Sequence, residues 1–256
     1  MAGMKTFAIL PLLAILMTAA SQDPAPPKPP DPNKKTVRGK VVDLEDKGVA
    51  GVKICTRWKS GESLSPNSPA ETFGTDADGT FEGVVTMARR PVALMAIDAD
   101  QKRGGVVVLD EKTIEAPITI KLAPLVAIRG QVQCTELGAL PEGMDVGVSA
   151  LPNYVSIVTA NHAAGKVSLR LPPGDFQLHA RVSGPLVDPY SQKLTVAADK
   201  PEIDLGVIDL KLTILGQHQG KEPPAWNITD ARGADKGVKL ADFKGKWVLI
   251  EFWGYW

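Results

Sequence analysis

Cysteine is nearly absent: Cys55 and Cys134 are the only two in 256 residues. That excludes a disulfide-dense scaffold and any four-cysteine zinc site. Histidine is almost as scarce. His162, His179 and His218 are the full set, and none stands at a recognisable metal-ligand spacing from a carboxylate or cysteine. The chain has no net charge, with 29 basic and 29 acidic residues. A polybasic nucleic-acid or membrane footprint is therefore not expected. Aromatics are few, at 5%, and unevenly placed: Trp226, Phe243, Trp247, Phe252, Trp253, Tyr255 and Trp256 all crowd the last stretch. What is plentiful is glycine, 24, and proline, 21. That load favours short strands and frequent turns over long helices. No metal and no cofactor is expected.

The start reads as an export signal. Lys5 supplies the positive residue, Phe7 to Met17 the apolar stretch, and Thr18-Ala19-Ala20-Ser21 a small-residue cleavage region. The apolar stretch is shorter than the roughly 18 residues a spanning helix needs, so no membrane span is expected after cleavage. Ser21 stands where a bacterial lipoprotein needs cysteine, which excludes lipid attachment there. Residues 22–35 hold Asp23-Pro24-Ala25-Pro26-Pro27-Lys28-Pro29-Pro30-Asp31-Pro32. Proline fixes φ and removes a donor, so this segment is expected to be an extended spacer.

From Thr36 the pattern becomes strand, turn, strand. Val37, Gly39 and Val41 share one face. Val52, Ile54, Thr56 and Trp58 alternate with Lys53, Cys55 and Arg57, the period of two of a half-buried strand. Gly61 to Glu71 is polar with two prolines and is expected to be loop. Thr75-Asp76-Ala77-Asp78-Gly79-Thr80-Phe81 is a hairpin turn with glycine where positive φ is needed. Pro91–Asp98, Gly105–Leu109 and Ile118–Leu122 complete about seven short strands, the pattern of a sandwich. The unit then repeats. Val37-Arg38-Gly39-Lys40-Val41 matches Ile128-Arg129-Gly130-Gln131-Val132, and Ile118 to Leu122 matches Ile208 to Leu212. Gly165–Leu171, Pro172-Pro173-Gly174 and Asp175–Val182 read as strand, turn, strand. The expected fold class is mostly β: two tandem antiparallel β-sandwiches, residues 36–123 and 124–215, plus an incomplete α/β segment over 216–256.

The segments 37–42, 48–52 and 75–81 resemble carboxypeptidase regulatory-like domains, transthyretin-like sandwiches attached to many exported bacterial proteins. The resemblance covers 36–123 well and 124–215 loosely, and implies fold, not peptidase activity. A zinc peptidase site needs His-x-x-Glu, whereas Gly165, Val182 and Lys221 stand three residues after the three histidines. Asp76 and Asp78 suit a hairpin better than a calcium loop, since no terminal glutamate follows. Arg89-Arg90 and Lys102-Arg103 read as a solvated rim. Cys55 and Cys134 lie in alternating apolar contexts and are expected as buried free thiols, with a disulfide as the runner-up.

Composition shifts at Gly216, and Gln217 to Glu222 reads as a polar linker. Val248 to Phe252 is an apolar, β-branched run of the kind that forms a central strand covered on both faces. Pro223-Pro224-Ala225-Trp226, Leu240-x-Asp242-Phe243-Lys244-Gly245-Lys246 and Val248-Leu249-Ile250-x-Phe252-Trp253-Gly254-Tyr255-Trp256 resemble the opening of thioredoxin-like redoxins. In those proteins Trp-[Ala/Gly]-x-Trp is followed directly by Cys-x-x-Cys. The resemblance implies that Trp253, Gly254, Tyr255 and Trp256 flank a redox site whose cysteines would come next. Peroxiredoxins carry Pro-x-x-x-Thr-x-x-Cys instead. The expectation is thus a fragment of an exported thiol-disulfide oxidoreductase, periplasmic or at the cell surface, with no catalytic residue of its own. The intact parent would act on protein disulfides or take electrons from a membrane donor. The alternative is a non-enzymatic exported binding or spacer protein built of the two sandwiches.

Overall fold

The computed structural model describes residues 31–61, 63–68, 71–87, 91–160, 162–222, 232–233, 235–249 and 251. The protein is mostly β. In chain order the first strands are β1 (Lys34–Val42), β2 (Lys53–Cys55), β3 (Trp58–Ser60), β4 (Leu64–Pro66), β5 (Thr72–Gly74), β6 (Thr80–Thr86), β7 (Val92–Ile97), β8 (Arg103–Leu109) and β9 (Ile118–Lys121). They are followed by β10 (Ala123–Pro124), β11 (Val126–Gln133), β12 (Met144–Ala150), β13 (Val155–Thr159), β14 (Lys166–Leu171), β15 (Gly174–Val182), β16 (Tyr190–Val196) and β17 (Glu202–Asp209). A one-turn helix, α1 (Ile214–His218), comes after them.

Two sandwiches are built on the same plan. In the first, a sheet ordered β6-β1-β9 covers a sheet ordered β10-β8-β7-β2-β5. Val37, Val41, Val85 and Ile120 from the one pack with Ile54, Leu94 and Ala96 from the other. In the second, β14-β11-β17 covers β16-β15-β12-β13-β3-β4, enclosing Ile128, Val132, Leu169, Phe176 and Leu178. The sequence repeat is a repeat of topology. β1 runs antiparallel to β6 and parallel to β9, as β11 does to β14 and β17. Register corrects one part of it. Val41 faces Ile120 and Val132 faces Ile208, so Ile208 corresponds to Ile120 and not to Ile118. Leu122 N–H donates to Val42 O and Leu210 N–H to Gln133 O, both at 2.8 Å. A slip of two residues keeps every side chain on its face, so alternation alone could not detect it.

Three further expectations change. The strand expected from Val52 to Trp58 breaks at Thr56 and Arg57. The thiol of Cys55 donates to Arg57 O at 3.0 Å within this break, and Thr56 Oγ1 donates to Glu71 at 3.1 Å. Beyond it the chain leaves the first sandwich, and β3 pairs in parallel with β13 of the second. The polar segment 61–71, expected as loop, returns as β4 against β3. Pro66 is tolerated there because β4 is an edge strand with no further partner for a missing N–H. Finally, β1 begins at Lys34, within the segment expected to be spacer, because Lys34 and Lys35 pair with Thr86 and Val85.

β7 shows where the two sandwiches meet. All six of its residues are buried. Val92, Leu94 and Ala96 face the first core, while Ala93, Met95 and Ile97 join the second. Such a strand has no solvent face and reads as a continuous apolar run.

Candidate functional site

Both cysteines are buried and free. Both belong to the larger apolar cluster, Cys55 at the seam and Cys134 after β11. A buried thiol in apolar surroundings is a poor nucleophile, since the reactive species is the exposed thiolate. Among the described residues, no group of three or more His, Cys, Asp or Glu side chains is arranged to hold a metal ion.

The seam holds a connected polar cluster. Gln101 sits in the turn between β7 and β8 with φ at +56°. Its side chain accepts from Leu64 N–H at 2.8 Å and donates to Leu64 O at 3.0 Å, completing a backbone-like pair with β4. Arg170 of β14 donates to Gln101 O at 3.0 Å and to its side-chain oxygen at 3.2 Å. Beside it, Trp58 is 1% exposed and donates its indole N–H to Met95 O at 3.0 Å. Ser60 Oγ donates to Ser168 O at 3.1 Å. Asp98 closes the same turn. It accepts from the backbone of Lys102 at 2.8 Å and from the backbone and side chain of Arg103, each at 3.0 Å. Burial pushes the Asp98 carboxyl up, but these bonds and the Arg103 charge outweigh it and hold it below the ordinary range. Arg103, expected on a solvated rim, is therefore tied into the turn.

Sequence reasoning missed this cluster. The available signal was Trp58 itself, the one tryptophan before residue 226, next to a polar segment that had no reason to carry a large ring.

The remaining candidates are simpler. Asp76 accepts from the backbone N–H of Asp78 at 3.0 Å and of Thr80 at 2.9 Å, and from the Thr80 hydroxyl. These are the bonds of a closed hairpin turn. A cleft of about 480 Å³ opens beside it, lined by Arg38, Phe81 and Glu82 among others. Its charged residues are already paired, Arg38 with Glu82 at 2.8 Å. A smaller cleft of about 260 Å³ lies at the seam between Arg57, Thr86 and Ser156. His179 is half-buried over Gly147, where a Cβ would come within 2.7 Å of the ring. Desolvation first, then the Arg181 charge, lowers its pKa, which favours the neutral imidazole.

Asp209 ends β17 and ties the second sandwich at its base. Lys211 Nζ donates to it at 2.6 Å, and Thr135 donates its backbone N–H and its hydroxyl, both at 2.9 Å. The lysine bond first, then the threonine bonds, pull the carboxyl down to about 2. A folded value below the unfolded one means the contribution is in place above about pH 4. It is lost as pH falls toward 2. An NMR titration of Asp209 should show that midpoint, and Lys211→Ala should move it up toward the ordinary carboxylate range.

After Leu212 no described residue is buried. The expected linker, Gln217 to Glu222, starts inside α1, which Thr213 caps by accepting from Gly216 N–H at 3.0 Å. Thr213 Oγ1 donates to Pro185 O at 2.7 Å. A Cβ on Gly216 would lie 2.1 Å from Leu186 O, so only glycine allows this close approach. Leu240–Phe243 forms a 3-10 turn. Trp247 and Leu249 are 103% and 95% exposed, and 247–249 is in no strand. Among the described residues, no strand pairs with 247–249. The segment expected as an export signal, Pro223 to Trp226, Ile250, and Trp253, Gly254, Tyr255 and Trp256, expected to flank a redox site, lie outside the described residues. Limited proteolysis should cut after Glu222 and leave 33–218 intact by mass spectrometry. Retention of 232–251 in the resistant core would contradict this.

No known protein-family model matches the chain. The thiol-disulfide oxidoreductase ResA of Bacillus thuringiensis subsp. konkukian is 51% identical over 37 residues, 14% of this chain and 20% of that protein. ResA of Bacillus cereus matches to the same extent. The chain thus spans about a fifth of the length of the curated relatives it matches. Among solved structures, the Bacillus anthracis TIE protein superposes at a TM-score of 0.30 with 8% identity, over 70% of this chain and 34% of that one. A streptococcal ancillary pilin gives 0.28 with 14% identity, over 72% and 64%. The minor pilin GBS52 of Streptococcus agalactiae gives 0.29 with 10% identity, over 69% and 96%. No helix among the described residues is long and apolar enough to cross a membrane.

Proposed function

We propose that this chain is the accessory part of an exported thioredoxin-like thiol-disulfide oxidoreductase: a leader, a spacer, two β-sandwiches and the opening of the redox domain. The observation that carries the reading is the ordered motif run from Pro223 to Trp256. Its length is comparable to the 37-residue, 51%-identical stretch shared with the Bacillus oxidoreductases. The sequence segments 37–42, 48–52 and 75–81, which resemble carboxypeptidase regulatory-like domains, support the accessory part of the reading.

The chemistry of the class sets what each part does. A thiolate at a helix N-terminus attacks a target disulfide, forming a mixed disulfide and releasing one thiolate of the target. A second thiol three residues on resolves it, leaving an oxidised pair that a donor must reduce with two electrons. Protein disulfides are the substrate in this reading and a membrane electron donor the reductant. Trp253, Gly254, Tyr255 and Trp256 would stand on the strand side of that pair. The 256 residues contain no Cys-x-x-Cys, and their two thiols are buried. The chain 1–256 should therefore leave insulin disulfides intact, while the same chain extended by its natural downstream sequence should reduce them. Turnover by 1–256 itself, or none by the extended chain, would overturn the reading. A second reading, a non-enzymatic exported spacer or binding protein, is favoured by the tightly built seam between the sandwiches.

A further inference from the structure

We propose that the β3–β4 hairpin is a strap that makes the two sandwiches one cooperative, rigid unit. The hairpin belongs by sequence to the first sandwich, since β2 precedes it and β5 follows it there. By pairing it belongs to the second, where β3 extends the sheet beyond β13. Removing the hairpin would leave β13 as an open edge with unpaired backbone groups. The strap is anchored at both levels. Trp58 and Leu64 are buried in the second core, and Trp58 is bonded back to β7 of the first. Gln101 from the first sandwich holds Leu64 of the strap and Arg170 of the second.

The seam also has an apolar side. Ala93, Met95 and Ile97 on the outer face of β7 are part of the second core. Linked domains that touch through small polar interfaces move independently, whereas a large apolar contact suppresses that motion. Here the core is shared and a strand pair crosses it. Neither sandwich can unfold without exposing the other's buried surface. α1 is bonded to Pro185 and packed on Leu186, so the segment after it leaves from a fixed platform. In the context of the proposed function, the sandwiches would hold the redox domain at a set place, not on a loose tether. The inference stands on the seam alone and does not need the redox assignment.

The full chain supplies its own probe, because Cys134 is a buried thiol of the second sandwich. Val85 lies in the first core, on β6 and outside the seam cluster. The test is thiol labelling of the full chain in the denaturant range where Cys134 reacts through unfolding, with and without Val85→Ala. A coupled unit predicts that Val85→Ala speeds labelling of Cys134 about tenfold. It also predicts that calorimetry shows one transition in both proteins, moved down as a whole in the variant. Gln101→Ala, at a partly exposed site that leaves both cores intact, should likewise lower a single transition by about 4 °C. Two resolved transitions in the unmodified chain, or Cys134 labelling unchanged by Val85→Ala, would overturn the proposal. Neither outcome depends on redox activity.

Discussion

Trp58→Ala should destabilise the chain by about 4 kcal/mol, the range of large aromatic deletions from a packed core. Three losses add up at this one position. The indole fills the second core at the seam. Met95 O loses its indole donor within a strand that is buried on both faces, and losing a buried hydrogen bond is itself destabilising. The strap loses its anchor, which frees the β13 edge. Trp58→Phe separates the terms: it keeps most of the apolar volume and removes only the N–H, so about 1–2 kcal/mol should be lost. Chemical denaturation monitored by circular dichroism measures both. A Trp58→Ala loss under about 1 kcal/mol would show that the strap is not packed as described.

The second large effect separates two glycines that occupy the same place in the sequence repeat. Gly39 and Gly130 each stand third in their motif. A Cβ on Gly39 would lie 2.0 Å from Ile118 O and 2.8 Å from the Phe81 ring. The oxygen is backbone, so β1 and β9 would have to part, and Gly39→Ala should cost about 3 kcal/mol. A Cβ on Gly130 meets Leu205 Cβ at 3.0 Å and Gly206 O at 3.3 Å. The register shift between Arg129 and Gln131 marks a bulge of β17 there, and Gly206 carries it with φ at +65°. A bulge bends the strand and opens the local pair, so Gly130→Ala should cost under about 1 kcal/mol. Melting temperatures of the two variants give the comparison. Equal losses would mean that the repeat is closer in three dimensions than the bulge allows.

Much of the architecture could be read from residue pattern. Alternation placed β1 and β11, and the matched motifs Val37–Val41 and Ile128–Val132 are the central strands of equivalent three-stranded sheets. The Asp76 turn was readable because its side-chain bonds are local. The strap was not, and the reason is physical. Trp58 keeps the same alternation as Val52 and Ile54, and period two says which face a residue takes but not which sheet it joins. β4 is three residues long with a proline, indistinguishable from loop until β3 gives it a partner. Gln101 was invisible for a related reason: a polar turn residue that bonds Leu64 and Arg170 acts over long sequence separations. The tail is the opposite case. Its motif order was clear in the sequence, yet Trp253 to Trp256 lie outside the described residues. Trp247 and Leu249 show only that the segment before them is exposed.

The functional reading rests on that motif, so its most direct test is the coding sequence immediately after the Trp256 codon. The account predicts an open reading frame that places Cys-x-x-Cys directly behind Trp253-Gly254-Tyr255-Trp256. A stop codon there, or a continuation without the paired cysteines, would contradict it.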